Sequence, residues 1–95
     1  MAERAISRIR NKVRCQQYDM TAHALEEMAE DNLDILDIEN AVLNGTITRF
    51  ERDDDRGIKF VIEGTAVNPE IQIGVVGRFV TSQRFLIITV YEITS

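Results

Sequence analysis

The chain has 95 residues, 44% of them apolar, and a formal net charge of −5. That length fits one domain with a modest core, and the composition excludes a disordered chain. The single cysteine, Cys15, excludes an intramolecular disulfide, no run approaches the ~20 apolar residues of a membrane span, and the acid excess weighs against a nucleic-acid partner.

The opening residues carry positive charge with no apolar stretch behind it, so a secretory signal is not expected. The lone cysteine fits a reducing, cytoplasmic setting. The charge is unevenly spread. Residues 1–18 hold Arg4, Arg8, Arg10, Lys12 and Arg14 against Glu3 alone, whereas residues 19–55 hold twelve acids against Arg49 and Arg52. Such asymmetry favours contact between basic and acidic surfaces, within the chain or between copies in a homodimer.

Residues 3–17 read as a first helix. Ile6, Ile9 and Val13 give an apolar stripe at helical spacing, and Arg4, Arg8 and Lys12 form a basic ridge. That ridge is a solvated face, a phosphate-binding face or a contact for an acidic protein surface. A second helix over 21–31 starts at Thr21, whose hydroxyl suits an N-cap, with Met20 and Leu25 placed for a hydrophobic staple and Asn32 for a left-handed stop. A third, over 35–44, repeats this grammar. Asp34 caps, Asp37 stands at N3, Leu33 and Ile38 form the staple, and Asn44-Gly45 ends it.

From Thr46 the apolar period changes to two. Strands are expected over 46–52, at Ile58–Ile62, from Ile71 through Val75, and over Phe85–Tyr91. The Asp53–Gly57 and Thr81–Arg84 segments make the turns. Gly74 and Gly77 mark a bulge or a close crossing. The last strand is apolar on both faces and so should be interior. The expected class is α+β, with N-terminal helices packed on a four-stranded antiparallel sheet, as one domain over 1–95.

Thr21-x-His23-Ala24-x-x-x-Met28, the segment Leu33–Gly45, the strand pairs and the closing Ile88-Thr89-Val90-Tyr91 resemble the DUF4258 family of small prokaryotic proteins. The resemblance covers residues 18–92 and leaves the basic helix of residues 1–17 outside. In layout that family is similar to small toxin ribonucleases of the RelE and barnase-like group, which are often held in check by an antitoxin. The family pattern reads His-Ala-x-x-Arg-Met, with another arginine just after the second helix. Here those two positions are Glu27 and Asp31.

Metal-free RNA cleavage needs a base, an acid and positive charge for the phosphate. The resemblance offers His23 as base or acid and Tyr91 as weak acid or donor. Arg49, Arg84 and Arg78 are candidate phosphate clamps, and Thr89 matches the family pattern. Arg4, Arg8 and Lys12 are candidate binding residues on the first helix. The acids at 27 and 31 argue against cleavage, because they would repel phosphate. The expectation is a non-catalytic or degenerate member of a toxin-like fold that acts through protein contacts. The alternative is a metal-independent endoribonuclease toxin using His23. No cofactor is expected. Cys15 lacks metal-ligating neighbours in sequence, and Asp53–Asp55 lacks the alternation of a calcium loop.

Overall fold

The computed structural model describes residues 2–53, 55–81 and 83–94. Three helices come first: α1 (Ala2–Arg14), then after a short strand β1 (Tyr18–Met20), α2 (Ala22–Glu30) and α3 (Ile35–Asn44). Four longer strands follow: β2 (Thr46–Asp53), β3 (Gly57–Thr65), β4 (Gln72–Phe79) and β5 (Phe85–Ile93).

The helix boundaries follow from local chemistry. Thr21 accepts the Ala24 N–H at the start of α2, and Asn32 leaves that helix region at φ 56°. Asp34 and Asp37 exchange side-chain and backbone bonds in a complete capping box, which satisfies donors that the first turn of α3 would otherwise leave bare. At the other end of α3, the Arg10 guanidinium donates to the Gly45 and Val42 carbonyls, at 2.7 and 3.4 Å. A cation there also meets the negative end of the helix dipole.

The sheet order is β1-β5-β4-β3-β2. This corrects the expected four-stranded antiparallel sheet: there are five strands, and β1 pairs parallel with β5, Tyr18 opposite Phe85 and Met20 opposite Ile87. The cause is the turn after α1. Gln16 takes φ 59°, and the reversed chain lays Tyr18–Met20 along the free edge of β5. Arg84 then clamps it, its Nε and Nη2 gripping the Asp19 carboxylate at 2.7 and 3.2 Å while Nη2 also reaches the Tyr18 carbonyl. β5 is interior as expected, but only because β1 covers it.

All three helices lie on one face of the sheet. Ile9, Val13, Ile38, Ala41 and Val42 from the helices meet Ile62, Ile73, Val75, Ile87 and Val90 from the strands in one core. In α2 the inward position is Ala24, while Leu25, read as a staple partner, is 47% exposed. Packing against β5 turns this helix so that Ala24, Glu27 and Met28 face the sheet. Two glycines let rings lie flat across the sheet. A Cβ at Gly77 would strike the Phe85 ring on the helix side, and one at Gly74 would strike the Tyr91 ring on the opposite side. The close-crossing reading therefore holds at both glycines, whereas the register shift falls only beside Gly77, with Ile88 of β5 as the extra residue. Among the described residues, no helix is long and apolar enough to cross a membrane.

Candidate functional site

His23 stands in the first turn of α2, its side chain 65% exposed, with Nε2 at 3.3 Å from Glu27 Oε1. The same Glu27 oxygen accepts the backbone N–H of Val90 on β5. One turn further, Asp31 accepts the N–H of Glu92, and at the head of the helix Thr21 donates its hydroxyl to the Ile88 carbonyl. Because β1 stops at Met20, the outer edge of β5 beyond Ile87 has no strand beside it among the described residues. Thr21, Glu27 and Asp31 supply the missing partners. The two acids are therefore acceptors for a sheet edge, a task an arginine cannot perform because its guanidinium has no acceptor.

The other candidate residues are dispersed. Tyr91 lies on the face opposite the helices, with its ring across Gly74. Thr89, Arg78 and Leu86 share that face, by register with Val76 and each other, and are half-buried. Arg84 is held by Asp19 and Tyr18. Arg49 sits on β2 with its Nε at 3.1 Å from Glu51. β2 is three strand spacings from β5, roughly 14 Å by ordinary sheet geometry. The fold thus gathers His23 with Glu27, not with Arg49, and it places Arg84 in the β1 clamp.

Arg4, Arg8 and Lys12 do lie along one flank of α1, and beneath them is a feature the sequence reading missed. All four phenylalanines stand in one row across the helix side of the sheet, one on each of β2, β3, β4 and β5. Phe50, Phe60, Phe79 and Phe85 meet edge to face, with ring centroids 5.5, 5.9 and 5.4 Å apart. The row is fully buried at Phe85 and 50% exposed at Phe50. The Arg8 guanidinium lies 4.2 Å over the Phe79 ring. At the exposed end, Phe50, Ile58 and Phe60 floor a groove of about 640 Å³ whose other wall is Arg4, Ala5 and Arg8. A spacing signal existed for this row. Phe50 and Phe60 are equidistant from Asp55, and Phe79 and Phe85 from Ser82, as hairpin partners must be.

Tyr18, also missed, donates its hydroxyl to Glu39 of α3. Burial, and then the hydrogen bond and charge of Glu39, push this phenol well above its ordinary value. Arg84 holds the Asp19 carboxyl below its usual range through hydrogen bonds and, to a smaller degree, charge. Among the described residues, no three His, Cys, Asp or Glu side chains gather as a metal site would require.

The model of the family described as "Domain of unknown function (DUF4258)" matches residues 20–92, so the chain belongs to the DUF4258 family. The match begins where β1 ends and leaves α1 outside it. No curated protein and no solved structure matches the chain.

Proposed function

We propose that this DUF4258 protein works through protein contacts, holding an acidic, apolar-anchored helix of a partner protein in the groove between α1 and the β2–β3 hairpin. The observation that carries this reading is the exposed end of the phenylalanine row. Phe50 and Ile58 are large, apolar and 50% and 43% exposed, and they adjoin one another over a well-packed floor. Covering each removes apolar surface worth on the order of 1 kcal/mol. Aromatic anchors beside arginines are the usual centre of a protein contact. The charge of the rim selects the partner. Arg4 and Arg8 line the groove and, among the described residues, no carboxylate does, so an amphipathic helix with acids flanking its apolar stripe fits and a basic one is repelled.

The test uses two synthetic helical peptides, one Leu/Glu-rich and one Leu/Lys-rich, and fluorescence anisotropy. The acidic peptide should bind and the basic one should not. Phe50→Ser or Arg4→Glu should weaken binding by tenfold or more. Equal binding of both peptides, or indifference to Phe50→Ser, overturns the reading. Concentration-dependent self-association that Phe50→Ser abolishes would instead make a second copy the occupant.

A second reading, a ribonuclease of toxin type, is favoured by the solvent-facing His23–Glu27 pair. Against it, Glu27 already serves the β5 edge, and Arg49 and Arg84 are paired with carboxylates. Metal-free incubation with single-stranded RNA decides the matter. Cleavage that vanishes in His23→Ala would establish the nuclease and sink the contact-only reading.

A further inference from the structure

On the other side of Arg8, toward the β4–β5 turn, lies a polar hollow of about 480 Å³ lined by Arg8, Asn11, Lys12, Phe79, Val80 and Gln83. We infer that this hollow is a binding site for a phosphate ester the size of a mononucleotide, with the phosphate held between Arg8 and Lys12.

Several features support that ligand class. Arg8 and Lys12 are one helical turn apart on α1 and so project to the same side. Among the described residues neither is paired with a carboxylate, whereas Arg49 and Arg84 are. Among the described residues the lining contains no acid, in a chain with a net charge of −5. The Arg8 guanidinium carbon lies 4.2 Å over the Phe79 ring, a cation–π contact that anchors the charge at the wall of the hollow, and a guanidinium can donate to two phosphate oxygens at once. Lys12 makes only a long, 3.4 Å bond to Gln17, and its ammonium is a mobile second charge.

The organic part of the ligand is set by the remaining wall. Phe79 and Val80 are apolar, and the Asn11 and Gln83 amides each offer both a donor and an acceptor, as a nucleobase edge or ribose requires. A neighbouring hollow of about 220 Å³ shares Lys12 and Gln83 and adds Gln17 and Arg84, which lengthens the trough beyond the span of a bare phosphate ion. The larger volume falls in the range of small-molecule sites, roughly 300–1,000 Å³.

The hollow adjoins the peptide groove and shares Arg8 with it, whereas Lys12 lines the hollow and not the groove, so Lys12 distinguishes the two. Isothermal titration and amide-resolved NMR on the full chain test it, with AMP, adenosine and inorganic phosphate as probes. AMP should bind saturably and shift the amides of Asn11, Lys12, Val80 and Gln83. Phosphate should compete more weakly, and adenosine should bind at least tenfold worse than AMP. Lys12→Ala should weaken AMP tenfold or more and leave the acidic peptide unaffected, whereas Arg14→Ala, away from the hollow, should leave AMP binding unchanged. Adenosine binding as well as AMP, AMP binding indifferent to Lys12→Ala and Arg8→Ala, or no saturation at millimolar AMP would each overturn the proposal.

Discussion

The two flanks of the sheet are finished differently. On the β5 flank a three-residue strand, a threonine, two carboxylates and an Arg84–Asp19 clamp satisfy the edge group by group. On the β2 flank, among the described residues, the edge has no strand beside it, and the phenylalanine row runs out into water at Phe50. Bare strand edges invite pairing with other chains, and proteins commonly close them. Here one edge is closed by side chains far away in sequence, while the other keeps only a register shift between Ile47 and Arg49. The contrast separates what holds the molecule together from what it offers to others. It also gives Glu27 and Asp31 a structural task, as acceptors for the Val90 and Glu92 N–H groups.

The sharpest test removes one ring from each end of the same row. Phe85→Ala should cost about 3–5 kcal/mol, since the ring is fully buried and its loss opens a cavity above Gly77. Phe50→Ala should cost less than about 1 kcal/mol in the isolated protein. Chemical denaturation of both variants measures the difference. Similar losses would show that the β2 flank belongs to the core and break the comparison.

Next in size is Glu27. Glu27→Ala leaves the Val90 N–H without its partner and should cost about 1–3 kcal/mol, whereas Glu27→Gln keeps an acceptor oxygen and should cost under half as much. Glu27→Arg should be at least as damaging as alanine. That outcome would mean that a basic residue here does not simply add a phosphate-binding charge, because it opens the β5 edge. Hydrogen exchange at the Val90 amide, accelerated in the alanine and arginine variants and nearly unchanged in glutamine, would localise the effect.

The local features of this fold were legible in the sequence, and the long-range ones were not. The capping box at Asp34 and Asp37, the Thr21 cap and the left-handed Asn32 all depend on residues within a few positions, so the chain spells them out. β1 is three residues long, too short for any period, and is a strand only because β5 lies beside it. Met20 read naturally as a staple residue for that reason. Glu27 and Asp31 read as acids that would repel phosphate, because nothing nearby in sequence tells which N–H groups they meet. At the candidate site, the basic ridge of Arg4, Arg8 and Lys12 was visible from helical spacing. The aromatic floor beneath it needed the hairpin registers.

Smaller effects appear at the extremes of pH. The Tyr18 phenol is raised above its ordinary 10.0 by burial first and Glu39 second. A raised value in the folded state means that the neutral phenol stabilises the fold fully below pH 10.0 and that this contribution fades as pH rises beyond it. Thermal melts should therefore show an alkaline loss that Tyr18→Phe reduces. An unchanged alkaline limb in that variant would remove Tyr18 from the closed flank's supports. Asp19 works in the opposite sense. Its value is lowered, so the clamp contributes above 3.8 and weakens as pH falls through the folded value. The pair is exposed, and this should be the smallest effect, seen as a slightly flatter acid limb in Asp19→Asn.

β1 and the partners of α2 have a consequence for how the molecule is made. Thr21, Glu27 and Asp31 bond to residues 61 to 67 positions later, all on the final strand. A nascent chain emerges from its amino end, so Thr21, Glu27 and Asp31 meet the backbone they need only after β5 has been made. Contacts so distant in sequence slow the search for the native arrangement. Until β5 arrives, the acids of α2 face water and Tyr18–Met20 has no edge to join. The molecule must therefore close in one late event, and a chain stopped short of Phe85 lacks the strand around which its beginning is organised.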